Sequence, residues 1–227
     1  DPVGPSNIPY SDKSLVPKEL KTDEIKKIVE DFVLASKRSI EAGFKVIELH
    51  FAHGYLVHEF LSPISNHRED EYGGNFENRI LLATTIASNV RAEIGNDIPL
   101  FARLSVTEYF PGEGWDLKSS IKLSKNLKLL GIDLIDCSSG ANYSEQEIKL
   151  KPGYQVNLSQ QIKNQADILT GAVGLITEPK HADLILESKE ADAIFMAREY
   201  LRNPYWALYA EKNKASWPLQ YQRSIDI

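Results

Sequence analysis

The sequence predicts a parallel α/β sheet, and three observations carry that prediction. Helical stretches and short apolar runs alternate five times along 227 residues. Each apolar run is near-continuous, as expected of strands buried on both faces. His50, Arg103, Ser138, Gly174 and Arg198 each fall at or just past the C-terminal end of a different run. A five-stranded doubly wound sheet fits the count but would spread those residues along a line. A (β/α)8 barrel, the TIM barrel, would gather them at one mouth, where barrels build their active sites. The barrel is therefore the expected fold. A complete one needs eight strands and about 250 residues, so this chain is expected to supply about strands four to eight. An open arc would expose two edges, so the expectation is a part of a longer polypeptide, with a missing N-terminal segment.

The elements follow in order. Residues 1–22 hold four prolines among Ser, Asn and Asp and read as an arm. A helix is expected over about 23–42, with Ile25, Ile28, Val29 and Phe32 on one face, acids at its start and Gly43 at its end. KVIELHF (45–51) is the first strand. A loop with Pro63, Gly73 and Gly74 leads to a helix over about 77–93, closed by Gly95, and IPLFARL (98–104) is the second strand. A helix near 117–130 precedes IDLIDC (132–137), and one near 157–165 precedes DILTGAV (167–173). A helix near 179–188 precedes DAIFMA (192–197), and a last helix is expected over 204–213. Residues 214–227 form a polar tail. No low-complexity linker interrupts the pattern, so residues 1–227 are expected to form a single domain.

Composition narrows the function. The net charge of −6 argues against nucleic acid as the main partner, because backbone binding needs a basic face. No apolar run reaches the roughly 18–20 residues of a membrane span. The start lacks the basic and apolar regions of a signal peptide. One cysteine, Cys137, permits neither an intrachain disulfide nor a Cys-cluster metal site. A reducing, cytoplasmic setting is the expectation.

The densest chemistry lies in Glu48-Leu49-His50-Phe51-Ala52-His53-Gly54-Tyr55, which leaves a buried strand with two imidazoles and a phenol. Two imidazole N–H groups could grip and polarise one substrate oxygen, and a phenol beside them could deliver a proton. The alternatives are two satisfied loop histidines, or a metal site for which no third ligand stands nearby. Arg103 sits inside an apolar run and needs an acceptor or an anion; an ion pair with Glu48 on the preceding strand is one candidate. Ser138-Ser139-Gly140 reads on residues alone as a strand-ending turn. Thr170-Gly171-Ala172-Val173-Gly174 and Ala197-Arg198-Glu199 could together offer backbone N–H donors and a cation to a phosphate. In barrels, that site often follows strands seven and eight.

These residues resemble the old yellow enzyme family of flavin-dependent ene-reductases, most closely its bacterial-type NADPH dehydrogenase branch. The resemblance rests on HFAHGYLVHEFLSPISNHREDEYGGNFENR (50–79), PLFARLS (99–105), DCSSGA (136–141), PGYQV (152–156), TGAVGLIT (170–177) and AREYLRNPYW (197–206), in the family's order. It implies a (β/α)8 barrel binding FMN at its C-terminal mouth. His50 and His53 resemble the pair that binds the substrate's activating oxygen, and Tyr55 the proton donor. Arg103 resembles the arginine at the flavin N1/O2 edge, a role that would explain a buried arginine without an ion pair. Ser138 resembles a flavin-pocket residue. Val173, Gly174, Ala197 and Arg198 resemble the FMN phosphate cradle, although the family often has Gly where Ala197 stands. Arg223 resembles an arginine inserted into a neighbouring subunit's active site, which implies a homo-oligomer.

The resemblance thus implies an FMN-dependent oxidoreductase that takes hydride from NAD(P)H and reduces the C=C bond of an enone or enal. The family's first three strands, with a Thr or Cys at the flavin carbonyl and a Gln at its pyrimidine edge, have no counterpart here. Cys137 is not that cysteine. Two rivals stand beside this reading: a non-catalytic remnant or subunit that needs a partner chain, and a flavin-free aldolase or isomerase keeping the phosphate site.

Overall fold

The computed structural model describes residues 1–211 and 217–224. Five parallel strands form the central sheet: β3 (Ile47–Phe51), β4 (Leu100–Ser105), β5 (Leu134–Ser138), β6 (Leu169–Ala172) and β7 (Ala193–Ile194). Their order in the sheet is their order in the chain, with every pair parallel. A doubly wound sheet would reverse direction at a switch point; this one does not. The two outer strands, β3 and β7, pair on one side only.

The arm contributes β1 (Val3–Gly4) and β2 (Lys18–Glu19), a two-residue parallel pair that was expected to be loop. The first long helix, α1 (Thr22–Glu41), starts where Glu24 accepts the Lys21 N–H at 2.9 Å. Its apolar stripe packs on α4 (Leu81–Ile94), and Phe32 meets Phe51 of β3 edge-on at 6.2 Å. That contact sets the faces of the sheet. Ile47, Leu49 and Phe51 point to the helices, so Glu48 and His50 point the other way. The next helices, α5 (Leu117–Leu129) and α6 (Val156–Ala166), pack beside each other and continue the layer.

Several boundaries differ from expectation. A six-residue helix, α2 (Leu56–Leu61), follows Tyr55 inside a stretch that Pro63 and two glycines make look like loop. The helix expected over 77–93 begins as α3 (Phe76–Arg79), capped by Asn75, and turns at Ile80 into α4. The helix near 179–188 is α7 (Pro179–Glu187), as expected. Only two residues of 192–197 are strand. The single helix expected over 204–213 is replaced by α8 (Arg198–Arg202) and α9 (Trp206–Ala210), and residues 212–213 lie outside the described residues. Asn203 leaves the helical range at φ −135° and ψ 85°, one residue before Pro204, a position where helical backbone is disfavoured.

Candidate active site

The register of the sheet aligns chemistry that is far apart in sequence. His50 on β3 pairs with Arg103 on β4, which pairs with Asp136 on β5. In-register residues share a face, so all three lie on the face away from α1 and its neighbours. Arg103 Nη1 stands 3.2 Å from Asp136 Oδ2. This corrects two expectations. Arg103 does have an ion pair, and its partner is Asp136 on the following strand rather than Glu48 on the preceding one.

The turn after β3 positions the imidazoles and the phenol. His53 adopts a left-handed φ of 63°, and its N–H donates to Ser105 Oγ at 3.0 Å. Gly54 follows at φ 70°, and a Cβ there would lie 2.0 Å from the Ala141 carbonyl oxygen. Only glycine lets the loop after β5 close over this turn. The His50 ring centroid is 5.1 Å from that of His53 and 5.4 Å from that of Tyr55. His53 Nε2 shares a 2.6 Å hydrogen bond with Ser138 Oγ. Burial, then the charge of Arg103, holds His50 below its ordinary pKa; burial, Arg103 and His50 together push His53 down to about 4. The His53 imidazole is therefore neutral near pH 7. Such a ring offers one N–H without carrying a charge. Tyr55 is 64% exposed and leads into α2.

A cavity of about 300 Å³ opens at the C-terminal ends of the strands. His53, Arg103, Ser138, Val173, Gly174, Ala197 and Arg198 all line it, joining seven of the residues singled out from sequence. His50 and Tyr55 sit beside it, through the His53 ring. Gly174 forms part of its wall, and a Cβ there would stand 2.9 Å from the Tyr154 ring and 3.0 Å from Gln155 Nε2. Three guanidinium groups border it. Arg103 is matched by Asp136, and Arg202 by Glu199 at 2.6 Å. Arg198 has no ion pair among the described residues, so its charge is left to whatever anion enters. Arg223 is exposed on the 3-10 turn Gln222–Ser224 and does not line the cavity. No third metal-ligating side chain joins His50 and His53 among the described residues.

Sequence reading missed the groups that hold this mouth together. Glu108, fully buried, accepts from Ser62 Oγ at 2.8 Å, Trp115 N at 2.6 Å and Asn142 Nδ2 at 2.9 Å. It thereby ties α2 to the loops after β4 and β5. His58, also fully buried, accepts the Gly54 N–H at Nδ1 (3.0 Å), and burial pushes its pKa down to about 3. Gln155 takes a 2.5 Å hydrogen bond from Ser139 and gives one of 2.9 Å to the Val173 carbonyl, bridging two cavity walls. The signal available was a lone polar residue inside an otherwise apolar or glycine-rich stretch. That signal is too common to select these positions.

A parallel α/β protein with a polar cavity at the carboxyl ends of its strands is the class this geometry defines. The sequence profile of the NADH:flavin oxidoreductase / NADH oxidase family matches residues 2–216, and the chain belongs to that family. It is 47% identical over 228 residues to the NADPH dehydrogenase of Bacillus velezensis, covering 99% of this chain and 66% of that protein. It is 46% identical to the NADPH dehydrogenase of Bacillus subtilis, covering 98% and 66%. The chain thus spans just under two thirds of those relatives. Among solved structures, the old yellow enzyme homologue of Zymomonas mobilis superposes with a TM-score of 0.74 at 28% identity, over 94% of this chain and 62% of that one. A 2-naphthoyl-CoA reductase superposes with a TM-score of 0.84 at 25% identity, over 90% and 32%.

Proposed function

We propose that this chain supplies strands four to eight of a (β/α)8 barrel that binds FMN at its mouth, takes hydride from NAD(P)H and reduces the C=C bond of enones and enals. The observation that carries this reading is the single cavity shared by His53, Arg103, Ser138, Gly174 and Arg198. The residues fit an anionic cofactor. Arg198 is an uncommitted cation on the same wall as Gly174, where the Tyr154 ring and Gln155 leave no room for a Cβ, and Arg103 Nε is buried without a partner among the described residues.

In this reading Val173, Gly174, Ala197 and Arg198 would hold the phosphate, and Arg103 and Ser138 would hold the ring system. The flavin, when bound, supplies the acceptor and donor of hydride. The protein supplies position and protons. His50 and the neutral His53 donate to the substrate's carbonyl oxygen and draw electron density from its β-carbon. Ser138 fixes the His53 ring through their shared hydrogen bond. Tyr55 gives its phenolic proton to the α-carbon. Arg223, exposed in the tail, is available to a neighbouring copy in a homo-oligomer.

The two one-sided strands β3 and β7, with Leu169 exposed to 54% at the start of β6, favour a chain that works only with further β/α units, joined to it or supplied in trans. The test joins these 227 residues behind the first three β/α units of the Bacillus subtilis relative. The fusion should purify with bound FMN and reduce cyclohexenone with NADPH, whereas residues 1–227 alone should bind FMN weakly or not at all. A folded fusion without flavin absorbance would overturn the reading.

A further inference from the structure

Asp136 is a carboxylate buried where only Arg103 can account for it. Its exposure is 0%, its Oδ2 lies 3.2 Å from Arg103 Nη1, and neither carboxylate oxygen makes a well-formed hydrogen bond. Its other in-register neighbour is Gly171 on β6, which has no side chain. The Phe195 ring fills that place so closely that a Gly171 Cβ would stand 2.2 Å from it, and Phe101 braces Phe195 edge-on at 6.4 Å. Asp136 therefore meets aromatic surface on one side and a guanidinium on the other. That guanidinium borders the cavity, 24% exposed.

A buried charge is kept only by a partner, and two opposite charges at this distance largely cancel at longer range. The mechanism above uses Arg103 but has no part for Asp136. We propose that Asp136 is a positioning residue: it holds the Arg103 guanidinium at the cavity wall and offsets part of its charge, so that a flavin bound there is harder to reduce than Arg103 alone would make it. This rests on the flavin reading given above.

Burial pushes the Asp136 pKa up to about 7, Arg103 pulls it down and Glu48 adds to the rise. Its charge therefore varies near neutral pH. The other titratable groups on this face belong to β3. Burial raises Glu48, against the pull of Arg103, and burial with Arg103 keeps His50 low. From β6 only Gly171 faces Asp136, and Cys137 points to the opposite face. When reduction places negative charge in the cavity, the Asp136 carboxylate should take up one proton from solvent.

The experiment is a spectroscopic redox titration of the FMN-loaded three-unit fusion against a reference dye, from pH 6 to 8, for the unsubstituted (wild-type) fusion, Asp136→Asn and Glu48→Gln. Asp136→Asn should favour the reduced flavin about tenfold, ~30 mV for a two-electron couple, and should flatten the pH slope. Glu48→Gln should keep most of that slope. In parallel, carboxyl-carbon NMR of the wild type should show one carboxyl, absent from Asp136→Asn, whose proton affinity rises when the flavin is reduced. If Asp136→Asn does not fold, the loss of this resonance cannot be checked, and the wild-type slope and the Glu48→Gln variant decide. An unchanged potential and slope in Asp136→Asn, or no wild-type carboxyl that responds to reduction, overturns the proposal while leaving the flavin reading intact. A folded fusion that takes up no flavin overturns both.

Discussion

Replacing Glu108 by alanine should loosen the whole mouth, and the size of the effect follows from its bonds. The side chain is fully buried and accepts from the Ser62 hydroxyl, the Trp115 N–H and the Asn142 amide. Glu108→Ala takes an acceptor from three buried donors, of which Asn142 Nδ2 keeps a second one, Ser65 Oγ at 3.2 Å. Each such group costs about 1–3 kcal/mol, and partial entry of water into the vacated space limits the sum to about 3–5 kcal/mol. The fusion used in the assay is about half as long again as this chain, so that corresponds to a fall of about 4–10 °C in Tm. Glu108→Gln is the control. Ser62 and Trp115 both donate to Oε1, which the amide oxygen of glutamine can replace. The new NH2 group would face Asn142 Nδ2, and a half-turn of the Asn142 amide converts that clash into a hydrogen bond. The cost of this variant should be about 1 kcal/mol. Thermal unfolding followed by circular dichroism on the three-unit fusion separates the two. A fall below 2 °C for Glu108→Ala, or equal falls for both variants, would refute the view that acceptor capacity at Glu108 holds the mouth.

Gly54→Ala should misplace His53 and Tyr55, because its Cβ would sit 2.0 Å from the Ala141 carbonyl; phenol binding to the flavin-loaded fusion should drop at least tenfold, and unchanged binding would count against the turn. The His53 ring should titrate near 4 and His58 near 3 in imidazole NMR. Both folded-state values lie below the ordinary 6.5, so the folded protein binds fewer protons than the unfolded chain. Their contribution to stability is full above about pH 6.5 and is lost as the pH falls toward 4; ordinary titration of both rings would contradict their burial. Tyr55→Phe should slow reoxidation of the reduced enzyme by enone about a hundredfold or more and leave reduction by NADPH largely intact. A defect confined to the reductive step would mean that another group donates the proton.

What sequence could reveal followed from periodicity and position. Apolar-rich runs six to seven residues long located all five strands, although β3 alternates, with Glu48 and His50 between buried Ile47, Leu49 and Phe51. Position at strand ends was enough to pick His50, Arg103, Ser138, Gly174 and Arg198; the last four border one cavity, and His50 stands beside it behind the His53 ring, which does line it. Pairing across the sheet was not legible. The sequence suggested Glu48 as the partner of Arg103, and only the register, Arg103 opposite Asp136, reveals the carboxylate that is 3.2 Å away. The short helix α2 was hidden for a related reason: its six residues form less than two turns, too few to establish a period beside Pro63 and a run of turn-forming residues. The roles of Glu108 and Gln155 depend on loops meeting across 16 to 46 residues of chain, as in Ser62 to Glu108 and Ser139 to Gln155. No local signal encodes such meetings.

The charge arrangement explains how an acidic protein can present a site for an anion. The chain carries −6 overall, which by itself repels phosphates at long range. Screening at physiological salt confines such fields to about 8 Å, so the local set of charges decides. At the cavity that set is three arginines, and each has a different state. Arg202 is neutralised by Glu199 on the same helical turn. Arg103 is balanced by a carboxylate placed behind it on the next strand. Arg198 stands at the start of α8 without an ion pair among the described residues, close to the backbone of Val173 and Gly174. An incoming dianionic group therefore finds one uncommitted cation at the end of the cavity formed by the last two strands. The imidazoles at the other end stay neutral and ask only for an oxygen to hydrogen-bond. The cavity is thus polar at both ends in different ways, charged where a phosphate would rest and uncharged where a carbonyl would be polarised. Between the two stands Arg103 with Asp136, whose carboxyl is pushed up to about 7 by burial and whose charge is therefore the most responsive to pH beside the cavity.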